Sequence, residues 1–223
     1  MLNTKNMSEG SGRIKPVITV GNQKLKINEI TFDQTPYDKD AYNIVLHVES
    51  EPVKGEFQGF LLDKNDPEGE RYKGQVGRVR MGPYAYKDVT LPSGIEIKRD
   101  IEVMKNIVFL ANTLDRRDEL DLINAKDVFA FVKSANKILS GDDTYINTCI
   151  AGKEWENKEG YINYDLFLPR MSKDGIPIES FNVDSESSRL FTFNREDHVK
   201  ELAAKKNVEK FEPAKSSGDD FDI

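Results

Sequence analysis

The spacing of the apolar residues changes twice along this chain, and that change limits the folds open to it. Between residues 16 and 99 apolar and polar residues alternate in short stretches, as they do in half-buried strands. Between residues 100 and 139 the apolar residues recur at helical spacing, and alternation returns between residues 144 and 170. Strands interrupted by one group of helices predict a mainly β protein, an antiparallel barrel or sandwich with a helical insertion.

The first alternating region begins with residues 17–32. Gly21-Asn22 is a turn signal, so this stretch predicts either a hairpin or one long bent strand. The next strand is predicted over residues 41–51. The expected inward residues of the two stretches are Leu25, Ile27, Ile30, Phe32, Tyr42, Ile44, Leu46 and Val48.

Three further β segments are expected before the helices. Residues 56–66 and 72–81 predict strands, and Gly74 and Gly77 in the second permit a bulge or a close backbone approach. Residues 83–99 predict a β-excursion with its tip at Pro92-Ser93-Gly94.

Two amphipathic helices and a short helical turn make up the insertion. Asp100 is the expected N-cap of the first helix. Residues 116–124 predict the turn, and residues 125–139 predict the second helix, which ends before Gly141. The expected apolar positions are Ile101, Met104, Ile107, Val108, Leu110 and Ala111 in the first helix and Val128, Phe129, Phe131, Val132 and Ile138 in the second.

Two strands joined by a polar loop at residues 156–160 are expected after the helices, and Asn194 is a candidate cap for a last helix. A five-stranded barrel with a helical insertion between its third and fourth strands is the OB-fold arrangement, which binds oligonucleotides. The sequence therefore predicts an OB-fold-like barrel, here with an insertion of about two helices. The expected organisation is a flexible arm at 1–14, a binding domain at 15–195 with its insertion at 100–140, a helix at 196–211 and an acidic disordered tail at 212–223.

Residues 71–99 carry a local excess of positive charge. The window has seven basic and two acidic residues, whereas the whole chain has a formal charge of −7. Cations interleaved with exposed aromatic rings suit single-stranded nucleic acid, because the charges neutralise phosphates and the rings stack on bases. A twisted hairpin with a basic, solvated face is the other interpretation. The candidate residues are Arg71, Tyr72, Lys73, Arg78, Arg80, Tyr84, Tyr86, Lys87, Lys98 and Arg99; Arg78 and Arg80 are expected on one face of a strand.

Trp155, the single tryptophan, lies between Lys153 and Lys158 at the junction of the last two predicted strands. In a nucleotide-binding barrel this loop borders the groove, where Trp155 can stack on a base; alternatively Trp155 fills the end of the barrel core.

The segment 219–223 is acidic and contains Phe221 and Ile223. Such a tail can occupy a basic groove when nucleic acid is absent and can recruit partner proteins when nucleic acid displaces it.

Motifs for catalysis or for a cofactor are not found. His47 is expected at the surface, opposite an apolar strand face, and His198 is expected to be solvated. With one cysteine, Cys149, a disulfide within the chain is impossible and a zinc site is disfavoured; the single cysteine fits a reducing cytosol. The acidic run at 115–121 is interpreted as helix capping rather than as metal ligands. We therefore expect neither an enzyme nor a bound metal or cofactor.

The chain resembles the single-stranded-DNA-binding proteins of phage replication. The resemblance rests on the segments GQVGRVRM and INTCIAGKEWENKEGYINYDLFLP on either side of a helical insertion, and on the tail residues Asp219, Asp220, Phe221, Asp222 and Ile223. It implies an OB-fold that coats single strands without sequence preference during replication or recombination. It also implies tail contacts with a polymerase, helicase or primase in the cytoplasm of an infected bacterium.

Two other functions remain open on the sequence. The chain can instead be a protein-interaction or virion-assembly β-domain whose tail only confers solubility, and a homo-oligomer is possible in either case. A nuclease or hydrolase would need converging acidic or histidine ligands, which the sequence does not supply.

Overall fold

The computed structural model describes residues 18–51, 76–170, 180–182 and 193–202. The first half of this part contains strands β1 (Gly21–Gln34), β2 (Tyr42–Ser50), β3 (Val76–Arg80), β4 (Val89–Thr90) and β5 (Glu96–Ile97). Three helices follow, α1 (Arg99–Thr113), α2 (Arg117–Asp121) and α3 (Val128–Leu139). The remaining elements are β6 (Ile146–Glu156), β7 (Ile162–Phe167), β8 (Phe181–Asn182), α4 (Arg195–His198) and β9 (Val199–Lys200).

Five strands close into a β-barrel. The hydrogen-bonded order is β1-β2-β3-β7-β6, and β6 pairs back onto β1 to complete the ring. All of these pairs are antiparallel except β3 with β7, which is parallel and contains one aligned residue pair, Arg80 with Phe167. The predicted mainly β architecture is confirmed, and the barrel is consistent with an OB-like arrangement.

The stretch predicted as a hairpin or one long bent strand, residues 17–32, contains a single long strand. β1 runs from Gly21 to Gln34 and pairs with β6 through its first five residues and with β2 through most of its length. The register with β2 shifts between Ile27 and Glu29, which marks a β-bulge, and bulges let one strand bend around a barrel. The expected inward residues Leu25, Ile27 and Ile30 are 2–4% exposed.

The barrel interior and the helices share one hydrophobic core. The buried face of α1 is formed by Val103, Ile107, Leu110 and Ala111. The expectation that Ile101 and Met104 belong to this face was wrong, since they are 53% and 45% exposed. The expected N-cap was also wrong: helix α1 has Lys98 at its N-cap, and Asp88 accepts a 2.8 Å hydrogen bond from the backbone N–H of Arg99.

Helix α3 packs against β1. Its N-cap is Asp127, whose carboxylate accepts a bond from the N–H of Ala130, and Asn136 accepts a 2.6 Å bond from the N–H of Ile30. These two bonds fix the start of the helix and its position against the strand. The buried residues of α3 are Val128, Phe131, Val132, Ala135 and Leu139, whereas Phe129 stays 43% exposed against Tyr42.

The last described segment differs from its prediction. Asn194 does cap a helix, but helix α4 ends at His198, and Val199–Lys200 then form strand β9 beside β6. The expectation of a helix over residues 196–211 is confirmed for residues 196–198 and was wrong for residues 199–202, and residues 203–211 lie outside the described residues. The arm at 1–14 and the predicted strand at 56–66 also lie outside them. Among the helices that the structure describes, none has the length and apolar character needed to cross a membrane.

Candidate nucleic-acid interface

The strand register brings four of the predicted residues onto one face of the barrel. Residues that are directly opposite in neighbouring strands point to the same side of a sheet. Arg80 is aligned with Phe167 of β7, and on β6 Lys153 is aligned with Asp165 and Trp155 with Asn163. Val79, between the two arginines, is 1% exposed and points into the core. We define the outer face as the exposed side that carries Arg78, Arg80, Lys153, Trp155 and Lys200.

Lys200 is a cation that the sequence did not assign to this face. It lies in β9, which pairs in parallel with β6 so that Lys200 is aligned with Lys153. Both side chains are exposed, and within the part of the chain that the structure describes neither has a carboxylate partner. Lys153 and Lys200 therefore place two neighbouring exposed cations on the strand face that also carries Trp155.

The two arginines of β3 have different surroundings although they share a face. Arg78 is 64% exposed, and its guanidinium lies 3.0 Å from the Asp33 carboxylate. Arg80 is 17% exposed and donates two bonds to Asp165, 3.2 Å from Nε and 2.6 Å from Nη2. It also donates to the carbonyl of Pro83 at 3.3 Å. Arg80 therefore joins β3 to β7, whereas Arg78 remains accessible to solvent.

The predicted cations beyond β3 lie outside the five barrel strands. Lys87 is 3.5 Å from Asp38, Lys98 is 3.0 Å from Glu96, and Arg99 is 2.8 Å from Asp100. The side-chain bond and the charge of Glu96 raise the pKa of Lys98. Arg99 also lies over the rings of Tyr42 and Phe129, with 5.1 and 5.6 Å from its guanidinium carbon to the ring centroids. Every described cation of the predicted basic window thus has a carboxylate within 3.5 Å.

A polar cavity of about 500 Å³ lies among these residues. Two cations, Lys87 and Arg99, line it together with the three carboxylates of Asp38, Asp40 and Asp88. Acidic groups outnumber basic groups in this cavity, which disfavours a phosphate. The local positive charge that the sequence predicted for residues 87–99 is therefore largely neutralised in the fold.

The predicted aromatic contacts divide into exposed and buried rings. Tyr84 is 80% exposed and remains available for stacking. Tyr86 is 5% exposed, donates its hydroxyl proton to the carbonyl of Met81 and accepts a bond from Arg170. Burial raises the pKa of Tyr86 to about 12, against the lowering effect of Arg170. The expectation that Tyr86 stacks on a base was wrong, because its ring is part of the core.

Trp155 lies near the end of an exposed hairpin formed by β6 and β7. Its side chain is 48% exposed, so it does not fill the end of the barrel core. Tyr161 and Ile162 at the start of β7 are 66% and 48% exposed, and Lys158 is exposed in the turn between the strands. Asn157 fixes this turn, since its side-chain oxygen accepts bonds from the N–H groups of Glu159 and Tyr161. The hairpin offers two rings and a cation at one edge of the outer face.

No family model, curated protein or solved structure matches this chain.

The other polar groups do not assemble a metal centre among the described residues. No three histidine, cysteine, aspartate or glutamate side chains are placed there to hold a metal ion. Two acidic side chains of α2 form ion pairs with arginines, Glu119 with Arg116 and Asp121 with Arg117. Cys149 is buried, and burial raises the pKa of its thiol to about 11, so the thiol is protonated at neutral pH.

The two histidines differ from each other in burial. His47 is half-buried, with Nε2 3.4 Å from the hydroxyl of Thr31, on the same side of the sheet as Arg78. His198 was expected to be solvated, and that expectation was wrong: it is 6% exposed, and its Nδ1 accepts a 2.8 Å bond from the N–H of Asn194. The remaining predicted site residues, Arg71, Tyr72, Lys73 and the tail 219–223, lie outside the described residues.

The residues that the sequence analysis missed are those whose position depends on strand pairing. The carboxylates of Asp33 and Asp165 are 45 and 85 residues from the arginines that they contact. Lys200 was assigned to a helix because Asn194 and the following charged residues resemble a helix start. The sequence shows that Tyr161, Asn163, Asp165 and Phe167 alternate along one strand and so share a face. It does not show that Asp165 lies next to Arg80 of another strand.

Proposed function

We propose that the chain binds single-stranded DNA on the outer face of its barrel, without sequence preference and without catalysis. The observation that carries this proposal is the register that aligns Lys200 with Lys153 and sets Trp155 two residues further along the same strand face. Exposed cations that have no carboxylate partner among the described residues, next to an exposed ring, match the two requirements of a single strand, phosphate neutralisation and base stacking.

The strand order supports an OB-fold assignment within this proposal. In an OB-fold the second and third strands and the connections after the first and fourth strands form the oligonucleotide site. Here β6 and β7 take the places of the fourth and fifth strands, with α1–α3 inserted after β3 and its hairpin excursion. Arg78 then belongs to the third strand and Trp155 to the hairpin that borders the site.

The ion pair of Arg78 does not prevent it from binding a phosphate. Both side chains of the Arg78–Asp33 pair are exposed, 64% and 44%, and exposed pairs contribute only about 0–1 kcal/mol. A phosphate can therefore replace the Asp33 carboxylate at small cost. The Arg80–Asp165 pair is less accessible, so Arg80 acts mainly by holding β3 beside β7.

The biological setting that we propose is phage DNA replication or recombination in the cytoplasm of a bacterial host. It rests on the resemblance of the barrel segments and the acidic tail to phage single-stranded-DNA-binding proteins. In this proposal residues 219–223 compete with DNA for the cations and recruit a polymerase, helicase or primase when DNA is bound.

The first test is a titration with oligo(dT) followed by the fluorescence of Trp155, the only tryptophan of the chain. Stacking should quench its emission. Trp155→Ala should weaken binding by about 1–3 kcal/mol, or roughly 5- to 150-fold, measured by the anisotropy of a labelled oligonucleotide. Trp155→Phe keeps an aromatic ring and should retain most of the affinity.

The salt dependence of the same titration locates the cations. Removing one side chain that neutralises a phosphate of a single strand should reduce the slope of log K against log[salt] by about 0.7. Lys153→Ala, Lys200→Ala and Arg78→Ala should each produce that change, whereas Lys126→Ala, which removes an 85% exposed cation of the helical insertion, should not. Absence of binding at low salt, both for the full chain and for a variant lacking Gly218–Ile223, would overturn the proposal.

A protein-interaction or virion-assembly domain is the second candidate. The observation that favours it is that each described cation of the window from residue 76 to residue 99 has a carboxylate partner, which leaves little free positive charge there. This alternative predicts complexes whose composition does not change when single-stranded DNA is added, and gel filtration with and without oligo(dT) distinguishes the two.

A further inference from the structure

The ribbon formed by β4 and β5 has one face made entirely of aliphatic side chains. Val89 is aligned with Ile97 and Thr90 with Glu96, and the N–H of Leu91 donates to the carbonyl of Ile95 at 2.8 Å. Alternation along both strands therefore places Val89, Leu91, Ile95 and Ile97 on one side. The opposite side carries Asp88, Thr90, Glu96 and Lys98.

This aliphatic face is accessible to solvent. Val89 is 37%, Leu91 38% and Ile95 60% exposed. Among the described residues the ribbon forms a sheet of its own, separate from the barrel strands. A two-stranded ribbon is marginally stable by itself in water, and contiguous exposed apolar patches mark interaction sites. The ribbon face therefore has the properties of a docking surface.

The helix that follows the ribbon carries two further exposed apolar side chains. Ile101 and Met104 lie in the first two turns of α1, directly after β5, and are 53% and 45% exposed. The bond from the N–H of Arg99 to Asp88 ties the start of α1 to the base of β4. Ribbon and helix thus hold their exposed aliphatic side chains in a fixed relation.

We propose that this surface binds a second copy of the chain in a two-fold symmetric arrangement. The charges around the ribbon support a self-complementary contact: Lys87 and Lys98 are balanced by Asp88 and Glu96. A balanced rim attracts neither a phosphate backbone nor a strongly charged protein. In a two-fold interface the same patch meets itself. Because Lys87 and Lys98 are already paired with Asp38 and Glu96 of their own chain, the aliphatic side chains carry the contact.

The expected association is weak and becomes stronger with salt. Stable interfaces bury about 800 Å² per partner, whereas this patch consists only of a two-stranded ribbon and the first two turns of one helix, so we expect dimers at concentrations on the order of tens of micromolar or higher. Each copy carries a formal charge of −7, and added salt screens their repulsion. Binding of single-stranded DNA should weaken with salt, so failure of one proposal is distinguishable from failure of the other.

Sedimentation velocity of the full chain over a concentration series tests the interface. Ile95→Asp should raise the dimer dissociation constant at least about tenfold, because the symmetric contact buries the new charge twice. Thr90→Asp places the same charge on the opposite side of the same ribbon and should leave the constant within about twofold. Equal effects of the two substitutions, or a chain that remains monomeric at about 1 mM, would overturn the proposal.

Disulfide cross-linking gives a second measurement that does not depend on the stability of a charged variant. The only native cysteine, Cys149, is buried, so an introduced cysteine reports the ribbon alone. Under mild oxidation Ile95→Cys should form a covalent dimer and Thr90→Cys should not. The proposal fails if both variants cross-link equally, or if Ile95→Asp weakens oligo(dT) binding or lowers the melting temperature without changing association.

Discussion

Two neighbouring arginines of β3 have different roles. On the outer face of the barrel Arg78 is available to bind a ligand, whereas at the seam where the barrel closes Arg80 stabilises the fold. We define the closure seam by Arg80, Tyr86, Asp165 and Arg170, the residues that join the end of β3 to the end of β7. Both arginines lie on the outer face, but Arg78 is exposed, whereas Arg80 belongs also to the seam and is 17% exposed. Residue type alone does not reveal which of two arginines can bind a ligand and which stabilises the fold.

The seam needs these side chains because the strand pairing at this point is short. Strands β3 and β7 share one aligned residue pair, so the backbone contributes little there beyond the 2.8 Å bond from the N–H of Leu168 to the carbonyl of Arg80. Arg170 adds a 3.1 Å bond to the carbonyl of Met81, and its guanidinium carbon lies 4.9 Å from the centroid of the Tyr86 ring. Side chains therefore supply most of the contacts that close the barrel.

The largest expected difference in the free energy of unfolding is between substitutions of Tyr86 in the seam and of Tyr84, which is exposed. Tyr86→Ala should lower the free energy of unfolding by about 3–5 kcal/mol, because it removes a buried ring from the core and leaves the carbonyl of Met81 without this donor. Tyr84→Ala, at a ring that is 80% exposed, should change it by less than about 0.5 kcal/mol. Urea denaturation measures both.

A variant that keeps the ring gives a measurement even if Tyr86→Ala does not fold. Tyr86→Phe removes only the hydroxyl group and should cost about 1 kcal/mol. If neither Tyr86→Ala nor Tyr86→Phe lowered the free energy of unfolding more than Tyr84→Ala does, the seam would not depend on Tyr86.

A smaller contrast is expected from the arginines. Arg80→Ala should lower the free energy of unfolding by about 1–3 kcal/mol, because it leaves Asp165 without its two hydrogen bonds and exposes the ring of Phe167. Arg78→Ala should cost less than about 0.5 kcal/mol and should instead reduce the salt slope of oligo(dT) binding. Thermal unfolding and DNA titration of both variants provide the comparison; a larger stability decrease for Arg78→Ala would reverse the assignment of the two residues.

The smallest effect concerns His198, next to the strand that carries Lys200. Burial lowers the pKa of His198, against the raising effect of Asp197, so the folded chain holds the ring neutral. Below about pH 6.5 the unfolded chain binds a proton that the folded chain resists, and stability falls until the lower folded pKa is passed. The melting temperature should therefore decrease from pH 7.5 to pH 5.5.

A variant that lacks the imidazole provides the control for this pH dependence. His198→Gln should reduce the decrease in melting temperature between the two pH values. Identical pH profiles for the wild type and His198→Gln would show that the buried imidazole does not set the dependence.

Most of the secondary structure could be predicted, because each element is set by the spacing of its own apolar residues. The strand at Tyr42–Ser50, the helix at Val128–Leu139 and strands β6 and β7 followed from local periodicity. The failures have physical causes. Ile101 and Met104 fit a helical spacing, but α1 turns Val103 to the core instead, and the burial of His198 depends on β9 lying against β6.

The sequence by itself determined that Arg78 and Arg80 share one side of a strand and that a helical group separates two sets of strands, since both facts follow from residue spacing. Tertiary structure decided which cations remain free. Lys153 and Lys200 are exposed without partners among the described residues, while Arg80 is held by a carboxylate 85 positions away. Strand alternation specifies the two faces of a strand, but only the pairing of distant strands specifies which charges meet across a face.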